Sequence, residues 1–194
     1  MKNSEVTNLS EGIYSFTSNV YLVGGKSPTI IDAGNDEKIL DGLRKATDRL
    51  DKVLITHEHP DHIGLVQNIK DEFDATVYAW EKEEDWVDEE LSDGQEVEAG
   101  NSILKAIHTP GHFPRHIVYF GDGALFSGDL IFPGGSFGRT DLPGGDKKQL
   151  VASIKKIFEE YGGEIEELYP GHMSPILENA REHVEKSLEM VESF

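Results

Sequence analysis

Along the first 35 residues, apolar positions come in short bursts broken by turn residues at Gly12, Asn19, Gly24-Gly25 and Ser27-Pro28, a pattern that predicts short strands. Thr29-Ile30-Ile31-Asp32 reads as a buried strand running into the turn Asp32-Ala33-Gly34. The period then changes. Ile39, Leu40, Leu43, Ala46 and Leu50 recur at helical spacing and predict a helix within residues 36–50. Val53-Leu54-Ile55-Thr56 is the next strand, and Ile63, Val66 and Ile69 predict a helix reaching about Lys70. Residues 75–79 read as a strand and 81–90 as an acidic helix.

From about residue 96 to 127 the short-strand pattern returns, with Ile117-Val118-Tyr119-Phe120 and Ala124-Leu125-Phe126-Ser127 as its clearest runs. A loop rich in Gly and Pro spans Pro133 to Gly145, and Leu150, Ile154, Ile157 and Phe158 then mark a helix. Glu167-Leu168-Tyr169 gives a last strand and 175–192 a last helix. Strands and helices thus occur in two similar successions, each with its strands first. Two sheets packed face to face with helices outside, a four-layer α/β sandwich, would accommodate them in a single domain over residues 1–194.

Composition changes this picture little. Hydrophobic residues make up 37 % and charged residues 28 % of 194, as expected of a folded chain. No apolar run is long enough to cross a bilayer, no signal peptide is evident, and cysteine is absent. A cytoplasmic protein without a membrane partner is expected. The formal charge of -19 argues against nucleic acid, whose phosphates are bound by neutralising Lys and Arg. Acidic runs such as Glu81-Lys82-Glu83-Glu84-Asp85 read as solvated faces.

The chemistry is concentrated at strand ends. Thr56-His57-Glu58-His59-Pro60-Asp61-His62 follows a buried strand and offers imidazole nitrogen and carboxylate oxygen, donors that suit zinc and iron. A loop leaving a strand can turn His57 and His59 to one side while Asp61 and His62 open the next helix on the other, so one segment can feed two neighbouring ions. Thr109-Pro110-Gly111-His112, Ser127-Gly128-Asp129 and Tyr169-Pro170-Gly171-His172 each put one further ligand-type residue after a strand, beside a glycine that lets the backbone come close.

H-x-H-x-D-H, T-P-G-H, S-G-D and P-G-H in this order resemble the metallo-β-lactamase superfamily, from about Val6 to His172. Phe126–Phe132 together with Gly138-Arg139-Thr140-Asp141 resembles its glyoxalase II-like (hydroxyacylglutathione hydrolase-like) branch. The resemblance implies the αββα sandwich, in agreement with the succession of elements. It implies that His57, His59 and His112 hold one metal ion, that Asp61, His62 and His172 hold a second, and that Asp129 bridges them. Two divalent ions are expected, zinc first, with iron or a mixed pair as alternatives. They would share a water, hold it as hydroxide and polarise the carbonyl of a small thioester or ester substrate, with Asp61 also orienting the nucleophile. β-Lactamases of the best-known kind carry Cys where Asp129 stands, which disfavours antibiotic hydrolysis.

Full-length glyoxalase II has a helical C-terminal domain contributing to the glutathione site, and only residues 173–194 follow His172 here. The thiol carrier is therefore open. The rival is a mononuclear iron persulfide dioxygenase, an oxidoreductase that would use His57, His112 and Asp129 and often carries a similar G-R-T-D stretch. Other residues have plainer readings. His108 and His116 are expected to pack or to orient His112, and His183 to lie at the surface. Asp32 either supports a ligand or only shapes its turn. Arg139 either pins its loop through Asp141 or reaches substrate, and Phe132 and Phe137 line or seal the pocket. Trp80 and Trp86 are expected to pack the acidic segment down. A homodimer is compatible with the sequence.

Overall fold

The computed structural model describes residues 5–82 and 84–193. Strands β1 (Val6–Asn8), β2 (Tyr21–Val23) and β3 (Thr29–Ile31) form an antiparallel meander. Helix α1 (Lys38–Ala46) then crosses over to β4 (Lys52–Leu54), parallel to β3. Helices α2 (Pro60–Ile63) and α3 (Val66–Phe73) lead to β5 (Thr76–Ala79), which is parallel to both β4 and β6 (Glu89–Glu90). These six strands form one sheet in sequence order. The second sheet holds β7 (Glu96–Ala99), β8 (Ser102–His108), β9 (Ile117–Gly121) and β10 (Ala124–Gly128), all antiparallel. After α4 (Lys147–Tyr161), β11 (Glu167–Pro170) pairs parallel with β10, and α5 (Ala180–Ser193) follows.

Side-chain alternation along these strands builds four layers. Ile30 and Val53 point into a cluster with Ile39, Leu43 and Ile69 of α1 and α3, while their neighbours Ile31 and Leu54 point into the cluster between the sheets. There they meet Leu104, Tyr119 and Phe126 of the second sheet. Val118, Leu125 and Leu168 face outward again, onto Leu150, Ile154 and Ile157 of α4 and Val184 of α5. The order is helices, sheet, sheet, helices: the αββα sandwich.

Local signals end the helices. Asp146 caps α4 by accepting the Gln149 N–H at 3.0 Å, and its own N–H reaches the Gly111 carbonyl at 2.7 Å, tying α4 to the T-P-G-H loop. Asp74 ends α3 with φ 53, a left-handed C-cap. The Arg44 guanidinium forks onto Glu72 with two contacts of 2.7 Å, joining α1 to α3.

Two expectations need correction. The acidic segment 81–90 is not a helix among the described residues; it runs through bends into β6. Only Val87 and the half-buried Trp86 anchor it to the core, too few apolar positions for a helical stripe. Asp88 instead accepts the Val77 N–H at 2.9 Å and holds Lys70 at 2.8 Å, steering the chain alongside β5. The last helix begins at Ala180 and not at 175, because Ile176 first forms a bridge with Leu168. No helix among the described residues is long and apolar enough to cross a membrane.

Candidate metal centre

Five strand ends meet at one edge of the sandwich. The chain leaving β3 carries Asp32, that leaving β4 carries His57 to His62, and β8, β10 and β11 deliver His112, Asp129 and His172. Parallel pairing makes this possible: β3 with β4, and β10 with β11, end on the same side. Pro60 opens α2 at a position where its missing N–H costs nothing, and His59, in extended conformation, stands just before it. Asp61 and His62 then fall in the first turn of α2.

The donor atoms converge in two groups. His59 Nδ1 lies 3.0 Å from His57 Nε2 and 2.9 Å from His112 Nε2. Ligands of one tetrahedral ion bonded at 2.0–2.1 Å would stand roughly 3.3 Å apart, so this triad is close to a ready coordination face. Asp61 Oδ2 lies 3.1 Å from His172 Nε2 and 3.8 Å from His62 Nε2, forming the other face. Asp129 stands between: Oδ1 is 3.4 Å from His62 Nε2, and Oδ2 is 3.5 Å from both His112 Nε2 and His172 Nε2. Both triads, and a third joining His57 and His62 to Asp129, have donor atoms close enough for one ion each.

Three of the imidazoles are oriented from behind. His62 Nδ1 lies 2.8 Å from Asp32 Oδ2, and His112 Nδ1 donates to the Arg139 carbonyl at 2.7 Å. The Thr56 hydroxyl donates to Asp32 and therefore accepts from His57 Nδ1 at 3.0 Å. With Nδ1 so engaged, all three rings turn Nε2 towards the centre, the nitrogen whose lone pair would serve a metal ion. His116 Nε2 accepts the Asp129 N–H at 3.1 Å, so this buried ring sets the bridging residue through its backbone. Asp32 takes φ 61, a left-handed conformation that Asp tolerates, and the N–H groups of Ala33 and Gly34 both reach the His62 carbonyl.

The electrostatics ask for cations. Burial holds His57, His59, His112 and His116 neutral, below the usual imidazole range. Burial also works against charge on His62 and His172, but the surrounding carboxylates prevail and pull His172 up to about 9. Asp129 is held well below the carboxylate range despite its burial, by His62 and His172. Even so, His62 Nε2 and Asp129 Oδ1 are buried and find no hydrogen-bond partner among the described residues. Such orphaned buried atoms are costly and fit a pair of divalent ions between the triads. Gly171 leaves the necessary room, since a Cβ there would run into Asp129 Oδ1 and come within 2.9 Å of His62 Cε1.

Other sequence-derived candidates find duller places. Arg139 and Asp141 form an exposed fork at 2.6 and 2.7 Å, which pins their loop and leaves the Arg139 carbonyl facing His112. His108 stacks on Trp80 with ring centroids 3.9 Å apart. His183 lies partly exposed, as expected, and its Nδ1 accepts the Gly134 N–H at 2.8 Å, fastening the turn Pro133–Gly135 to α5. Phe132 and Phe16 lie near the His172 ring, at 6.2 and 5.8 Å. Two contacts escaped sequence reasoning: the Thr56 link between Asp32 and His57, and an ion pair of 2.7 Å between Glu58 and Arg115. Both depend on which strand ends face each other, and no local pattern encodes that.

Comparison with known proteins agrees with this geometry. A family model described as the metallo-beta-lactamase superfamily matches residues 14–172. The hydroxyacylglutathione hydrolase of Aeromonas salmonicida is 34 % identical over 148 residues, covering 72 % of this chain and 58 % of that enzyme. Among such relatives the chain spans as little as 50 % of the partner's length. Of solved structures, the BLEG-1 B3 metallo-beta-lactamase superposes with TM-score 0.77 at 27 % identity, covering 95 % of this chain and 96 % of that one. TTHA1623, solved in a di-iron-bound form, superposes with TM-score 0.71 at 30 % identity, covering 89 % and 92 %.

Proposed function

The chain belongs to the metallo-beta-lactamase superfamily, and from that premise we propose that it is a metal-dependent hydrolase of a thioester or related ester, akin in chemistry to the hydroxyacylglutathione hydrolases. In this reading His57, His59 and His112 hold one divalent ion, Asp61, His62 and His172 a second, and Asp129 serves both. The observation that carries it is the pair of donor triads joined by one buried carboxylate.

When bound, two such ions supply a water of lowered pKa and a Lewis-acid contact for a carbonyl oxygen. The chain's own residues do the remainder. Asp61 directs Oδ2 towards His172, and its other oxygen is a seat for a proton of the attacking water. Asp32, Thr56 and the Arg139 carbonyl fix the ring orientations of His62, His57 and His112, so that no reorganisation is needed as charge develops. A thiolate leaves without a protein acid. No side chain has to act as nucleophile.

The rival, a mononuclear iron dioxygenase, would call on His57, His112 and Asp129 alone. Buried His62 Nε2, which faces Asp129 Oδ1 at 3.4 Å without forming a hydrogen bond, supports the two-metal reading, since it has no work in the rival. The test is metal analysis of the purified protein together with three assays: S-lactoylglutathione hydrolysis, nitrocefin hydrolysis and O₂ uptake on glutathione persulfide. About two zinc or iron ions per chain with thioester hydrolysis and no O₂ uptake is the expected result. One iron with O₂ consumption overturns it, and nitrocefin as the preferred substrate redirects it to the lactamases.

A further inference from the structure

A cavity of about 580 Å³ opens beside His172. That is the size of a small-molecule site. It is walled by the loop between β1 and β2 and by the segment that follows β11, with Val6, Ile13, Met173, Pro175 and Leu177 as its apolar lining. Of the six large apolar side chains exposed among the described residues, four (Tyr14, Phe16, Met173 and Leu177) belong to these two segments. Met173 and Leu177 line the cavity itself and Phe16 stacks 5.8 Å from the His172 ring, so exposed apolar surface lies beside a candidate metal ligand, as at a place where something apolar is bound.

Most of the polar lining engages its donors within the chain. Asn19 Nδ2 gives its two N–H groups to the carbonyls of Pro170 and Met173, at 2.9 and 2.7 Å. The Tyr21 hydroxyl donates to the Pro170 carbonyl at 2.9 Å, the Tyr169 hydroxyl to Glu167 at 2.9 Å, and the Ser10 hydroxyl to the Ser18 carbonyl at 2.9 Å. No Lys or Arg lines the cavity among the described residues; its ionisable groups are Glu11, exposed at the rim, and His172, the candidate metal ligand at its inner end. A carboxylate entering here would lose its water, approach the exposed Glu11 and find, besides the Thr17 and Ser174 hydroxyls, donors that are already engaged within the chain. An uncharged chain loses nothing.

We propose that this cavity seats the acyl chain of a neutral, apolar acyl thioester or ester, and that it selects against acyl groups ending in a carboxylate. The inference rests on the hydrolase reading and adds the substrate class to it. A series of N-acetylcysteamine thioesters from acetyl to hexanoyl tests it on the metal-loaded protein, with glutaryl as the carboxylated counterpart of the five-carbon member. Each methylene removed from water is worth roughly fourfold, so kcat/KM should climb at least about tenfold along the series, mostly through KM. The glutaryl ester should fall at least about tenfold below its uncharged counterpart.

Two variants localise the effect. Leu177→Asp should cut the hexanoyl-to-acetyl ratio at least about fivefold, and Glu11→Lys should narrow the gap between glutaryl and valeryl. Ion content measured on the same samples separates a change of selectivity from a failure to fold. A flat chain-length profile, a preference for glutaryl, or ratios unmoved by Leu177→Asp overturns the inference alone. Absence of hydrolysis for every thioester and ester would instead overturn the hydrolase reading beneath it.

Discussion

Asp32 Oδ2 stands 2.8 Å from His62 Nδ1, although 30 positions separate the two residues, and both side chains are almost wholly buried. The contact fixes which nitrogen of His62 faces the centre. Asp32→Asn keeps the left-handed turn accessible but removes the charge. Metal affinity should fall about 10- to 100-fold, as for other partners that orient a ligating histidine. Chelator competition measures this, and an unchanged affinity would show that the pair only shapes the turn.

Asp129 reaches towards both triads, with Oδ1 near His62 and Oδ2 near His112 and His172. Asp129→Ala should lower ion content below two per chain, by elemental analysis after gel filtration. Full retention of both ions rules out the bridging role.

Gly171 offers a purely steric test. Its φ is not among the positive ones, so alanine meets no backbone strain there, yet its Cβ would collide with Asp129 Oδ1. Gly171→Ala should lose metal binding while the apo fold, followed by circular dichroism, stays intact. Normal ion content in this variant would mean that the space is not part of the centre.

The Glu58 side chain is only 9 % exposed, and Arg115 Nε sits 2.7 Å from its Oε1. Burial pushes the Glu58 carboxyl up, and the guanidinium works against that push. Arg115→Ala strands this carboxylate beside the metal loop and should cost about 2–3 kcal/mol in urea unfolding, with Glu58→Gln recovering part of the loss. No recovery in the double variant would place the effect elsewhere on Arg115.

Away from the centre, burial alone would raise the Asp88 carboxyl, but the Lys70 ammonium and the Val77 N–H hold it below its ordinary value. A carboxyl depressed in the folded state stabilises above its unfolded pKa of about 3.9, and this stabilisation is lost as pH falls through the folded value. Asp88→Asn should therefore cost about 1 kcal/mol near neutral pH, after allowance for solvent screening. The difference should close in strong acid. A gap independent of pH would mean that shape, not charge, is what Asp88 contributes.

The fold was legible wherever one face of an element is buried. Ile39, Leu40 and Leu43 announce α1, and Leu150, Ile154 and Ile157 announce α4, because each stripe meets a sheet. Segment 81–90 misled because acidity says only that a face is wet, and a loop can be as wet as a helix. The ligand-type residues were legible as motifs since a strand end can present only the few residues that follow it. Their supports were not. Whether Thr56 meets Asp32, or Glu58 meets Arg115, follows from how β3, β4 and β8 are set side by side, which is a long-range property. The link from His183 to Gly134, 49 positions away, was hidden for the same reason.

The parallel pairing of β11 with β10 has a consequence for how the protein matures. Because parallel neighbours need a crossover, the whole of α4 must be made before β11 can bring His172 to the edge where the other candidate donors lie. During synthesis the His57–His62 loop emerges long before its last partner. An early ion would meet an open, half-built seat that any divalent metal in the cell can contest on affinity alone. Under the two-metal proposal, the full donor geometry that could discriminate between ions would exist only once this last strand has closed.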